Sequence, residues 1–156
     1  MADVAARLAE LGLELPAVAA PAGDYVPAVR SGSLVYTAGQ LPFADGVLTA
    51  TGVVGEGAGH VDPALARSLA ADCALNALAA AATVLGSLDE VVRVVKVTGF
   101  VASDPSFTGQ PGVLNGASEL LGRVFGDAGR HARSAVGVAA LPLGSPVEVE
   151  LVLEVR

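Results

Sequence analysis

Apolar positions recur with two different periods along this chain, and the switches between them mark out its elements. Over residues 2–13, Val4, Leu8 and Leu11 fall at helical spacing with Arg7 and Glu10 between them, which predicts a short amphipathic helix. Pro16 and Pro21 predict an extended linker after it. Short strands are predicted over residues 25–30, 34–40 and 47–51, punctuated by the turn formers Ser31-Gly32 and Asp45-Gly46. Gly52, Gly55, Gly57 and Gly59 then make a loop that runs to His60. Asp62-Pro63 sets an N-cap carboxylate before a proline at the first helical position, and the helix it opens runs to about Leu85 and stops at Gly86. Its polar positions, Ser68, Asp72, Asn76 and Thr83, form one narrow stripe, so most of its circumference is expected to be covered.

Residues 91–101 are rich in β-branched side chains and predict a long buried strand. Over residues 111–125, Val113, Leu114, Ala117, Leu120, Leu121, Val124 and Phe125 follow the 3-4 spacing of a second helix, closed by Gly126, with Glu119 and Arg123 as a solvated i,i+4 pair. Two further strands, 133–141 and 146–155, are expected to lie side by side, joined by a tight turn through Leu141-Pro142 and Gly144. The order is β-β-β-α-β-α-β-β. It predicts an α+β fold, one mixed sheet with two helices on one face, over a single domain at residues 25–156. Residues 1–24 precede that domain as short helix and linker.

Composition sharpens this picture in two ways. The chain is 53% hydrophobic with only 4% aromatic residues, so Ala, Val, Leu and Gly must fill the core, which favours close approach of helix to sheet. A mean hydropathy of +0.60 is high for 156 residues and points to apolar surface covered between subunits. No apolar run is long enough to predict a membrane span. The net charge of −7 and the lack of any basic run argue against a nucleic-acid partner. Cys73, the single cysteine, falls in a helical pattern and reads as a small buried hydrophobe in a reducing compartment. With no basic and apolar leader pattern at the N-terminus, the cytoplasm is expected.

Few residues offer chemistry. His60 and His131 lie in different loops with no ligand-spaced partner, so no metal is expected. Neither a phosphate-binding Gly-x-x-x-x-Gly-Lys nor a Gly-x-Ser-x-Gly elbow is present. There remain Arg133, at the start of one apolar strand, and Glu148, near the start of the next. They suit anion binding and acid–base work. Taken alone they leave other readings open: Arg133 as a structural arginine paired with a carboxylate, and Glu148, alternating with valines, as part of a solvated strand face.

The motifs narrow the choice. Ala132-Arg133-Ser134, Leu141-Pro142 and Val147-Glu148-Val149-Glu150 resemble the C-terminal signature of the RidA/YjgF family, also labelled L-PSP. Upstream, Tyr25-Val26-Pro27-Ala28-Val29 is similar to its opening strand, Thr37-Ala38-Gly39-Gln40-Leu41-Pro42 to its Ser-Gly-Gln-x-Pro segment, and Val94 through Val101 to its central strand. Asn115 matches a family asparagine. The resemblance covers nearly the whole chain after the linker.

It implies a chorismate-mutase-like fold, a homotrimer with ligand sites in inter-subunit clefts, and no cofactor. The activity implied is hydrolysis of reactive enamines and imines, such as 2-aminoacrylate and 2-iminobutanoate, to 2-keto acids and ammonia. Arg133 would bind the substrate carboxylate and Glu148 would direct a water, with Tyr25, Gly39, Asn115 and Ala135 as substrate-binding positions. The chain departs from the pattern at Ala135, where well-known deaminases carry cysteine, in the lead-in before Tyr25, and in segments 106–112 and 127–131. Binding or sensing of a small carboxylate such as a keto acid, without turnover, stays open. So does the older label of endoribonuclease, which the acidic charge disfavours.

Overall fold

The computed structural model describes residues 3–156; Ala2, the first residue of the expected N-terminal helix, lies outside them. The main sheet has five strands: β1 (Ala28–Ser31), β2 (Leu34–Thr37), β5 (Val91–Ala102), β6 (Ala132–Val138) and β7 (Val147–Val155). Their order is β1-β2-β7-β5-β6. The pair β5/β6 is parallel and the other neighbours are antiparallel, so the sheet is mixed. The expected third strand shortens to β4 (Val47–Leu48), which pairs with β3 (Phe43–Ala44) in a separate hairpin.

One expectation is corrected. The last two strands are not neighbours, because β5 lies between them. The helix between β5 and β6 sets β6 parallel to β5 at the sheet edge, and β7, whose apolar positions are buried along its whole length while β6 has none fully buried, takes the centre between β5 and β2.

Helix α2 (Pro63–Ala82) begins as its sequence dictates. The Asp62 carboxylate accepts the Ala64 N–H at 2.7 Å, and Pro63 follows. It is the helix long and apolar enough, by length and composition, to cross a bilayer, yet most of that stretch is buried in this core. Leu78 of α2 and Leu114 and Leu121 of α3 (Gln110–Phe125) form one core with Val35, Val94, Val97, Val101, Leu151 and Leu153 of the sheet. Small residues allow the approach. A Cβ on Gly99 would overlap Leu114, and one on Gly116 would overlap the Arg67 carbonyl of α2.

Two polar positions behave differently from their sequence reading. Asn76 is buried and donates to the Phe43 carbonyl at 3.0 Å, tying the small hairpin to α2. Glu119 pairs with Arg67 of α2 rather than with Arg123. Helix α1 (Val4–Glu10) is built into the body: Val4 and Leu8 are buried, the Val4 N–H donates to Asp89 Oδ1 at 2.7 Å, and Arg7 Nε donates to the Arg123 carbonyl at 2.8 Å. Cys73 is fully buried and donates to the Val147 carbonyl.

The helices cover one face of the sheet. On the other, register places Val29, Tyr36 and Val152 in one row and Glu148, Phe100 and Val136 in another. Val29, Tyr36 and Val136 are exposed there, an apolar surface without a cover in the single chain.

Candidate functional site

Glu148 sits where β2 breaks its regular pairing. Tyr36 pairs with Val152, but the next bridge joins Gln40 to Val149, so β2 carries one extra residue over that stretch. The irregularity is held by Thr37, whose Oγ1 accepts the Leu151 N–H at 2.9 Å, and by paired backbone bonds between Gln40 and Val149. It brings Gly39 beneath the Glu148 carboxylate so closely that a Cβ at Gly39 would overlap Oε1. A side chain at this position would push the Glu148 carboxylate out of its place.

A cavity of about 300 Å³ opens above this contact. Glu148 is its one carboxylate; Tyr25 and Gly39 also line it, with Pro27, Leu41, Phe43 and Leu143 among the apolar walls. Burial raises the Glu148 carboxyl above the usual carboxylate range, and the Glu150 charge on the same strand face raises it further. A carboxylate held this way is a better base than a solvated one. The Tyr25 hydroxyl accepts the Ala22 N–H at 3.2 Å and keeps its own proton to donate.

Arg133 lies on the helix-covered side of edge strand β6, in register with buried Val97. Its Nη1 donates to Asn115 Oδ1 at 2.9 Å and to Ser118 Oγ at 3.1 Å, and its Nη2 donates to the Pro111 carbonyl at 3.1 Å. These bonds occupy three of five N–H groups. The Nε–H and one Nη2–H are left over, and the Nε/Nη2 edge of a guanidinium is the two-pronged face that matches a carboxylate. Among the described residues no carboxylate lies within ion-pair distance of Arg133.

Ser118 is in turn held by His131. The ring Nδ1 lies 2.6 Å from the Gly129 carbonyl, which can only accept, so Nδ1 carries the proton; in the neutral ring Nε2 then accepts from Ser118 Oγ at 2.9 Å. Sequence reading did not find Ser118, although Asn115 and Ser118 are three residues apart on α3 and must share a face. Ser118→Ala is expected to raise KM by about fivefold, the worth of one hydrogen bond of about 1 kcal/mol, with kcat little changed. Ser118→Thr, which keeps a γ-hydroxyl, should restore it; steady-state kinetics on a 2-imino acid, the substrate class the sequence resemblance implies, checks both.

The expected site residues thus fall into two groups. Tyr25, Gly39 and Glu148 share the cavity, while Asn115 and Arg133 are bonded to each other, with Ala135 two residues along β6 on the same face. The two groups are not brought together within one chain. Register puts Arg133 on the helix side of the sheet and Glu148 on the opposite side. No group of three or more potential metal ligands occurs among the described residues.

Comparison with known proteins places the chain in a family. A family model described as "YjgF/chorismate mutase-like, putative endoribonuclease" matches residues 5–155. Protein TCP17 of Trypanosoma cruzi is 48% identical over 160 residues, covering 98% of this chain and 94% of that one. A crystal structure from Shewanella oneidensis with the same endoribonuclease description is 34% identical with a TM-score of 0.92, over 97% of this chain and 99% of the other. Escherichia coli TdcF, solved with bound serine, is 25% identical with a TM-score of 0.62, over 92% of this chain and 95% of its own. On the family model that spans residues 5–155 and the relatives that match along nearly their whole length, the chain belongs to the YjgF/RidA family.

Proposed function

We propose that this protein is a cofactor-independent hydrolase of reactive 2-imino acids and their enamine tautomers, releasing 2-keto acids and ammonia, and that its working form is a homotrimer in the cytoplasm. The observation that carries the reading is the free carboxylate-shaped edge of Arg133, set against a Glu148 carboxyl of raised pKa in a small cavity. A substrate with a carboxylate next to an electrophilic carbon needs both. Because the two lie on opposite sides of the sheet, the cleft would form between copies, with Arg133 of one copy facing Glu148 of the next. The exposed Val29 and Tyr36 in one row of that face and Val136 in another support such an assembly.

The chemistry asks little of the protein. Glu148 takes a proton from water as the water oxygen bonds to the imine carbon. That proton passes to the imine nitrogen, completing a neutral carbinolamine; Glu148 then takes the hydroxyl proton and delivers it to the same nitrogen as the C–N bond breaks, so that the carbonyl forms and ammonia leaves. Orientation of substrate and water supplies most of the acceleration. RNA cleavage is the weaker use of the site, because the net charge of −7 repels a phosphate backbone.

The test generates 2-aminoacrylate or 2-iminobutanoate in place with a serine/threonine dehydratase, with semicarbazide trapping the free imine. Faster keto-acid release on adding this protein is the expected result. Keto-acid binding with no acceleration would make it a carboxylate-binding protein instead.

A further inference from the structure

The cavity over Glu148 has a wall that water activation and carboxylate binding do not require. It comes from the segment between α1 and β1: Ala19, Ala20, Pro21 and Ala22 line one side. The segment is fixed at both ends. Upstream, α1 is held by buried Val4 and Leu8. Downstream, the Ala22 N–H is bonded to the Tyr25 hydroxyl, and Ala28 is buried in β1. Pro16 and Pro21 restrict the backbone between these anchors. The wall presents no charge to the cavity.

Leu143 lines the same cavity, from the turn between β6 and β7. Its backbone has φ +59° and ψ 14°, in the left-handed region, where a leucine is disfavoured and glycine or asparagine is at ease. Core burial does not compensate, for the residue is 63% exposed. An apolar side chain held in a strained conformation at the rim of a cavity points to a use for that side chain.

We infer that Ala19–Ala22 and Leu143 form a subsite for the side chain of the substrate, and that the preferred substrates are imines with a branched aliphatic side chain rather than the three- and four-carbon imines. This rests on the deaminase reading of the Glu148 site. A cavity of about 300 Å³ is at the small end for a ligand site, which suits a single amino-acid-sized molecule.

The probes are pyruvate and 4-methyl-2-oxopentanoate, the keto-acid products of the small and the branched imine. Their binding is measured by calorimetry on the wild-type protein and on Leu143→Asn, a substitution that suits the backbone there and removes the apolar contact. The wild type should bind the branched acid at least about tenfold more tightly, the discrimination available to an apolar pocket. Leu143→Asn should reduce that ratio several-fold while its Tm stays the same or rises. Equal binding of the two acids by the wild type, or an unchanged ratio in the variant, overturns the subsite. Hydrolysis of both imines, followed in parallel, separates the two readings: equal turnover of each leaves the deaminase standing without the subsite, whereas side-chain-dependent binding without turnover leaves the subsite and overturns the deaminase.

Discussion

Arg133→Ala is expected to lower kcat/KM for a 2-imino acid by about a thousandfold. The figure follows from the two donors that remain free on the guanidinium edge: two charge-assisted hydrogen bonds at about 2 kcal/mol each give about 4 kcal/mol, or three powers of ten. Arg133→Lys recovers little, because an ammonium cannot present two parallel donors in one plane. The fold should survive either change. Arg133 is only half-buried on an edge strand, and Asn115 and Ser118, which lose a donor, lie near enough to the surface to be hydrated. Kinetics alongside thermal melting checks this: a large loss of activity at unchanged Tm supports carboxylate binding by Arg133, whereas retained activity would remove it from the site.

The sequence made most of the fold legible because its signals were local. Asp62-Pro63, the 3-4 spacing from Val113 to Phe125 and the β-branched run from Val91 each specify an element without reference to anything distant. Strand order was not legible. The turn at Leu141-Pro142 and Gly144 looks like a hairpin connection, yet it carries the chain past β5 to reach the far side of that strand. Nothing local encodes this, since it depends on where the crossover helix leaves the chain.

The site divides in the same way. Gly39 and Glu148 are far apart in sequence, and only the extra residue in β2 brings one beneath the other. Ser118 and His131 have unremarkable contexts, and their role appears only once Arg133 is placed between α3 and the loop after it. The wall at Ala19–Ala22 looked like linker because alanine and proline carry no chemical signature; its position over Glu148 gives it meaning. The separation of Arg133 from Glu148 has the opposite lesson. Sequence reading named them together because they are the chain's reactive pair, and the alternation of faces along β6 and β7 separates them within the chain.

Glu148→Gln is expected to lower kcat by about a hundred- to ten-thousandfold, the usual contribution of a positioned base, while the protein keeps its Tm or gains a little, because an amide costs less to bury than a carboxylate. The pH profile of the wild type carries the same information. Glu148 works as a base only when ionised, and burial with the Glu150 charge raises its pKa, so kcat should rise with pH through a value above the ordinary glutamate one of about 4.3 and level off beyond it. Removing the neighbouring charge with Glu150→Gln should move that rise to lower pH. In Glu148→Gln the rise should vanish with the activity. The variant also tests the shared cleft. Arg133→Ala and Glu148→Gln proteins are each inactive, but co-refolded in equal amounts they should form mixed trimers in which about one cleft in four pairs an intact Arg133 with an intact Glu148. Recovery of about a quarter of the wild-type rate places the two residues on different copies. No recovery from a mixture shown to have exchanged subunits would require both to act within one chain, which the opposite sides of the sheet forbid, and would therefore remove Glu148 or Arg133 from the reaction.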